Sequence, residues 1–364
     1  MTPAAPDLVH LCDWLPPDFG AVGQYSLLFA RQRAQRGEHV VLYGLSSTGQ
    51  SVESETVGSG SLRVVRLAAR IYDRTNLRAR AAWTSRTNLS LLWHASKDLR
   101  LCKEILFTGS PPFMLHFVAP LNLFLRKKLT YRITDFFPEC LMAEYPRIPL
   151  VLRLLYRLTL FWRRRVHEFE VLGVDQRRRL LEAGMPAGRI VLKRNPSPVA
   201  IPPQTAPLER PRQLAGYRIL LYSGNFGVAH DYETFLAGYR RHHREGSKRV
   251  ALWLNAIGRS ADTLEEKLKR EGLPHLRARP LPLEQLARLL VTPDAHLITL
   301  RDRFAGFVLP SKVHACIESR KRIIYIGPAG SDVHLLCRTR MAPGSYIRIA
   351  VGDADGILHA LENI

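Results

Sequence analysis

The amino-acid sequence predicts an α/β protein of two doubly wound domains, each built on a parallel sheet. Three observations carry this reading. Apolar runs of strand length alternate with runs of helix length and helical period. The alternation halts at a proline-rich stretch near residue 200 and then resumes. Finally, 364 residues, 46 % of them apolar, exceed what one hydrophobic core normally serves. Alternation of this kind produces parallel sheets whose ligands sit at the carboxyl ends of the strands.

In chain order, residues 7–12 read as a strand, followed by a loop with Pro16, Pro17, Gly20 and Gly23. A helix over 24–36 and a buried strand over 40–45 complete the first unit. Strands are expected at 62–67, 104–107 and 129–133, and helices at 78–103 and 115–125. Pro202, Pro203, Pro207 and Pro211 make 199–215 a linker between domains at 1–198 and 216–364. Beyond it, strands are expected at 218–222, 250–254, 295–300 and 323–326. Helices are expected at 231–242, 261–271, 283–290, 311–319, 332–337 and 356–362.

The formal net charge of +21 points to an anionic partner: nucleic acid, an anionic bilayer or phosphorylated small molecules. The excess is regional, since residues 74–165 hold seventeen Lys and Arg against five Asp and Glu. No nucleic-acid-binding motif accompanies it, so nucleic acid is not the expected partner. The five cysteines show neither a CxxC pair nor metal-ligand spacing, which fits reduced, buried thiols and no metal. Residues 1–18 lack the basic and apolar segments of a secretory signal, so a cytoplasmic location is expected.

Residues 220–231, Leu-Leu-Tyr-Ser-Gly-Asn-Phe-Gly-Val-Ala-His-Asp, form a buried strand opening into a glycine loop before a helix. Such a loop can present amide N–H groups and a helix N-terminus to a diphosphate; alternatively Gly224 and Gly227 shape a β–α turn and Asp231 caps the helix. Downstream, Pro310-Ser311-Lys312 suits a helix start, with Ser311 and the Lys312 cation in the first turn. Lys312 is then either a phosphate clamp or a solvated lysine.

These segments resemble glycosyltransferase family 4, on the branch of O-antigen and colanic-acid-type transferases. Residues 222–231 match its YSGNxGxxHD opening and 307–314 its PSK signature. Thr108-Gly-Ser-Pro-Pro112 and Asp135-Phe-Phe-Pro-Glu139 match its SPP and DxxPE loops, and 16–25 its first glycine loop. The resemblance implies a GT-B fold, two Rossmann-like domains facing a cleft, and a retaining, metal-independent glycosyl transfer without cofactor. The donor would be a UDP- or GDP-sugar and the acceptor a glycan or polyprenyl-linked molecule of polysaccharide biosynthesis. Donor-binding candidates are Gly20, Gly23, Ser223, Gly224, Asn225, Gly227, His230, Arg301, Arg303, Ser311, Lys312 and Glu318. Asp135 is the catalytic candidate, or else a helix cap supporting Glu139; Ser110 and Glu139 are acceptor-side candidates.

Departures from the family pattern are specific. Its paired glutamates fall on Phe307 and Ala315, leaving Glu318 as the nearby carboxylate; His230 stands near a usual phosphate-binding lysine; and Arg320-Lys321-Arg322 replaces Gly-x-Pro. An inactive GT-B scaffold in a polysaccharide assembly complex and a sugar-nucleotide epimerase are the alternatives. Asp353-Ala-Asp355 has DxD spacing but lies between Gly352 and Gly356, where a turn is expected.

Residues 148–166 mix apolar side chains with arginines too often for a spanning helix. Arg153, Arg157 and Arg164 share one helical face, with Phe161 and Trp162 among the apolar remainder. A peripheral helix on the anionic inner face of a membrane fits this pattern, as does an inter-domain helix with snorkelling arginines.

Overall fold

The structure, a computed structural model, describes residues 5–18, 20–70, 77–279 and 281–364. Phe19 of the first glycine loop and Arg74 at the head of the basic stretch lie outside them. The chain divides into two compact units, Met1–Leu172 with Gln176–Arg194, and Gly173–Asp175 with Asn195–Ile364.

Unit one contains β1 (Leu8–Trp14), α1 (Ala21–Gln35), β2 (His39–Ser46), β3 (Ser51–Val57), β4 (Gly60–Ala68), α2 (Leu77–Leu101), β5 (Glu104–Thr108) and α3 (Leu115–Leu125). It continues through β6 (Lys128–Ile133), α4 (Glu139–Met142), α5 (Leu150–Arg163), β7 (Glu168–Val171), α6 (Val174–Glu182) and β8 (Ile190–Leu192). Its strands form one sheet in the order β3-β4-β2-β1-β5-β6-β7-β8. All neighbours are parallel except β3 and β4, a hairpin turning at Gly58 with φ +61°. β3 escaped the sequence reading because its Glu53 and Glu55 face water, as suits an edge strand. Leu8, Val40, Leu42, Leu62 and Leu106 pack with Ala30 and Ala34 of α1 to form the core on one sheet face.

In unit two follow β9 (Arg218–Asn225), α7 (Glu233–Glu245), β10 (Val250–Ile257), α8 (Arg259–Arg270), β11 (His275–Ala278), α9 (Leu283–Val291) and β12 (Ala295–Thr299). Then come α10 (Lys312–Glu318), β13 (Arg322–Ile326), α11 (Asp332–Arg340), β14 (Tyr346–Ile349) and α12 (Ala354–Glu362). The order β11-β10-β9-β12-β13-β14 is parallel throughout. Tyr222, Leu252, Leu297 and Ile324 meet Phe235, Tyr239 and Leu361 in its main core. The short strands β11 and β14 were not expected, because four residues carry too little periodicity. The proline-rich segment packs on this unit: Leu208 joins an apolar cluster, and its N–H donates to Thr292 Oγ1 at 2.9 Å. All five cysteines are free and buried.

The first helix begins at Ala21, three residues before the expected start, so Gly23 sits in its first turn rather than in a loop. There α1 crosses the end of β1 so closely that a Cβ on Gly23 would lie 1.8 Å from the Trp14 carbonyl oxygen. Gly20 has no such constraint, since its Cβ would sit 3.7 Å from the same oxygen. Gly23→Ala is therefore expected to destabilise unit one by about 1–3 kcal/mol through overpacking. Gly20→Ala, losing only a mild helix-cap preference, should cost under about 1 kcal/mol. Urea unfolding midpoints of the two variants check this contrast.

Candidate functional site

In an open parallel sheet the loops diverge where strand order reverses, leaving a crevice at the carboxyl edge. Unit two reverses between β9 and β12, and the glycine loop leaves β9 at that point. Gly224 has φ +104°, a conformation open to glycine and strained for L residues. Tyr222 is sealed in the core, stacks on Phe226 with centroids 4.0 Å apart, and donates its hydroxyl to Asn225 O at 3.0 Å. His230 stands edge-on to both rings. Its Nδ1 donates to Thr299 O at 2.6 Å, since a carbonyl can only accept. Arg301 N–H donates to Ala229 O at 2.9 Å, so the loops after β9 and β12 are fastened together.

Lys312 enters this framework from α10. Its Nζ lies 3.2 Å from the centroid of the Tyr222 ring, and a Cβ on Gly224 would touch its Cε at 3.9 Å. The Nζ atom is shielded from solvent and has no hydrogen-bond partner among the described residues. Burial drives its pKa well below 10.5, with Cys316 a smaller, opposing influence. The same burial, with Lys312 and Arg301 as positive neighbours, lowers His230 to about 3, so that ring is neutral. Helix α10 has seven residues, and Ser311 makes no side-chain cap bond, so the cation contributes more than any helix dipole. Ser223, Gly227 and Ser311 are half-buried nearby in sequence, and Asn225 is exposed at the strand end.

The other donor candidates are more loosely placed. Arg301 is half-buried, 3.8 Å from Glu233, while Arg303 is exposed on the turn Asp302–Phe304. Glu318 lies six residues beyond Lys312, about 9 Å along the axis and on another helical face. Asp231 accepts from Glu233 and Thr234 N–H, the helix cap that its sequence position allows. Asp353 caps α12 through Gly356 N–H, and Asp355 pairs with Arg241, so the DxD spacing belongs to a helix start rather than to the expected turn.

Unit one reverses between β1 and β5, and a second polar cluster forms there. Register shifts between Leu11 and Trp14, a bulge that sets Asp13 at the end of β1. Ser110 Oγ donates to Asp13 Oδ2, joining the loops after β1 and β5. A Cβ on Gly109 would reach Asp135 O at 3.0 Å, so the loops after β5 and β6 also touch. Burial, and secondarily the charge of Asp13, raise the Asp135 carboxyl to about 6. Asp13 was not among the sequence candidates. Its one sequence signal is an acid at the end of an apolar strand, and its partner Ser110 lies 97 residues away.

Glu139 is buried in a two-pronged ion pair with Arg163, whose Nη2 reaches Glu139 Oε2 at 3.0 Å and Phe137 O at 3.2 Å. Arg163 therefore points inward, unlike the exposed Arg153, Arg157 and Arg164 of the same segment. Leu150, Val151, Leu154, Leu158 and Phe161 are exposed beside those arginines, and Trp162 is half-buried. Among the described residues no helix is long and apolar enough to cross a membrane.

No family model matches the chain, and no curated protein is similar enough to count as a relative. Solved structures do resemble it. An α,α-trehalose-phosphate synthase (UDP-forming) from Burkholderia vietnamiensis is 13 % identical with a TM-score of 0.65, covering 98 % of this chain and 88 % of its own. WaaG, a glycosyltransferase involved in lipopolysaccharide biosynthesis, is 13 % identical at 0.60, with 98 % and 90 % covered. Anabaena HepE in complex with UDP and glucose is 9 % identical at 0.62, with 98 % and 89 % covered. The chain has the two-domain α/β GT-B fold of these proteins.

An ammonium sealed from water without an anion weakens the protein that holds it. With the folded pKa depressed, the unfolded chain binds the proton more readily, so this penalty grows as pH falls below 10.5. Lys312→Met is expected to raise stability at neutral pH by about 1–3 kcal/mol. Thermal melting of the unliganded protein measures it, and an unchanged or lower melting temperature contradicts the site as described.

Proposed function

We propose that the chain is a glycosyltransferase using a nucleotide diphosphate sugar, with the diphosphate held in unit two at the end of β9. The observation that carries this reading is the shielded Lys312 Nζ beside Gly224, without a hydrogen-bond partner among the described residues. A diphosphate supplies the missing countercharge, and glycine at 224 lets its oxygens approach the backbone. Arg301 and Arg303 add positive charge, while Ser223, Asn225, Gly227 and Ser311 offer short donors around it. His230, neutral and bound to Thr299 O, forms part of the wall rather than a phosphate-binding cation. Glu318 is the carboxylate assigned to the ribose. UDP in proteins of this fold supports the same reading. Donor identity is read from a thermal-shift comparison of UDP, GDP, CMP and ADP, where bound ligand stabilises by mass action.

In this reading unit one binds the acceptor, a glycan or polyprenyl-linked molecule of polysaccharide biosynthesis. Asp135 accepts the acceptor hydroxyl proton, with Asp13 and Ser110 fixing the neighbouring loop. Glu139 acts indirectly, holding its loop through Arg163. A base must be ionised, so turnover should fall as pH drops through about 6. Asp135→Asn should lower turnover about 10²–10⁴-fold. It should leave nucleotide affinity unchanged and abolish the acidic limb of the pH profile. Equal losses in donor affinity and rate would instead assign the residue to structure. Product formed from donor alone, without acceptor, would mark an epimerase.

Lys312 gives a separate signature. Nucleotide binding restores its protonated form, so between the two pKa values binding takes up a proton. The groups facing it are the Tyr222 ring, Cys316 and neutral His230, with the Arg301 cation beyond. Measured binding enthalpy should therefore depend on the buffer's ionisation enthalpy, and that dependence should vanish in Lys312→Met.

The basic face of α5 is proposed to rest on an anionic membrane at the cytoplasmic side. Arg153, Arg157 and Arg164 face the lipid head groups there, and Leu154, Leu158, Phe161 and Trp162 supply apolar contact. Each arginine near the surface contributes about 1 kcal/mol at moderate salt. Reversing Arg153 and Arg157 to Glu should release the protein from anionic vesicles in a sedimentation assay and leave nucleotide binding intact.

A further inference from the structure

A pocket of 410 Å³ opens at the opposite edge of the unit-one sheet, where the strands begin. It is lined by Arg126, Arg164, Arg165, Arg189 and His167, with Leu123 at its apolar side and no carboxylate among the described lining residues. Arg126 ends α3 in the left-handed region at φ +53°. Arg164, Arg165 and His167 form the link from α5 to β7, and Arg189 precedes β8.

Two of these arginines are fixed in place. Arg165 stacks on Phe161, its guanidinium carbon 3.6 Å from the ring centroid, and donates to Phe161 O at 2.8 Å. Arg189 donates to Arg164 O at 3.1 Å and Val166 O at 3.3 Å. Each keeps further donors for a ligand, since a guanidinium carries five N–H groups. Arg126 and Arg164 have no hydrogen-bond or ion-pair partner for their side chains among the described residues. His167 Nδ1 accepts from Leu129 N–H at 3.0 Å, which leaves the ring proton on Nε2 as another donor. These four exposed arginines line one pocket, so their combined positive charge favours an anion there. The rim beside them is apolar: Phe124 is 84 % exposed and Leu123 51 %, on the last turn of α3.

We infer that this pocket binds the phosphate of an anionic glycerophospholipid, with Phe124 and Leu123 entering the acyl region beside it. Planar guanidinium donors match phosphate oxygens, and exposed phenylalanine next to them matches lipid better than a dissolved phosphate ester. The inference extends the membrane part of the functional reading and rests on it. It adds a specific head-group seat, where α5 alone supplies a diffuse basic face.

The test compares vesicles of phosphatidylcholine with vesicles of equal parts phosphatidylcholine and phosphatidylglycerol, at moderate salt, with melting curves confirming that each variant is folded. Wild type should prefer the anionic vesicles. The double variant R126Q/R189Q should lose that preference by about tenfold or more. F124S should bind both vesicle types more weakly while retaining the preference. Glycerol 3-phosphate, titrated alone, should bind far more weakly than the vesicles. If R126Q/R189Q partitions as wild type does, the pocket is not the head-group seat, even though membrane docking stands. If glycerol 3-phosphate binds as tightly as vesicles and displaces them, the ligand is a soluble phosphate ester and the lipid assignment falls. A wild type that ignores both vesicle types overturns the membrane reading, and the inference with it.

Discussion

Parallel pairing is the constraint from which the rest of this structure follows. Because parallel neighbours cannot be joined by a tight turn, each such pair needs a crossover, and every strand but the edge strand β3 ends at the same edge of its sheet. In both units the first strand is a central one, so the chain builds outward on one side and then on the other. The loops after β1 and β5 part in unit one, and those after β9 and β12 in unit two. Asp13, Ser110 and Asp135 occupy the first of these openings; Gly224 and Lys312 occupy the second. These groups gather at the two openings because connectivity makes neighbouring loops part there.

The two openings are electrostatically opposite. In unit one, burial, helped by the nearby charge of Asp13, makes the Asp135 carboxyl resist ionisation. In unit two, the Lys312 amine is held on an aromatic face and, being buried, resists protonation. Each group is displaced toward neutrality, and each is ready to change charge when a partner arrives. One suits accepting a proton, and the other suits meeting a phosphate. The positive charge of the chain has further separate uses, since Arg163 is buried against Glu139 and Arg132 against Glu170.

Local signals were legible in the sequence, and long-range ones were not. The strand–glycine–helix pattern at 220–231 and the Pro-Ser-Lys start of α10 are contiguous, so motif and period sufficed to find the Gly224–Lys312 neighbourhood. The same holds for the major strands and helices of both sheets. Asp13 escaped notice because its meaning depends on Ser110 and Asp135, brought near by three strands distant in sequence. Gly23 was placed in a phosphate loop, whereas the structure accounts for it by the approach of α1 to Trp14 O. Arg163 looked like its neighbours because a helical wheel cannot tell which face of an arginine-rich helix will find a buried glutamate. The pocket around Arg126 and Arg189 joins turns at the start of separate strands, which no linear pattern marks.

The Arg163–Glu139 pair has a mechanical consequence. Helix α5, with its exposed arginines and leucines, is bolted at its last residue to the segment that begins at Asp135. Removing one partner of such a buried pair typically costs about 3–5 kcal/mol. Parting the two would bare a buried charge, so the ion pair fastens α5 to the Asp135–Glu139 segment. The exposed face of α5 is thereby joined to Asp135 over a short path, one ion pair and four residues of chain.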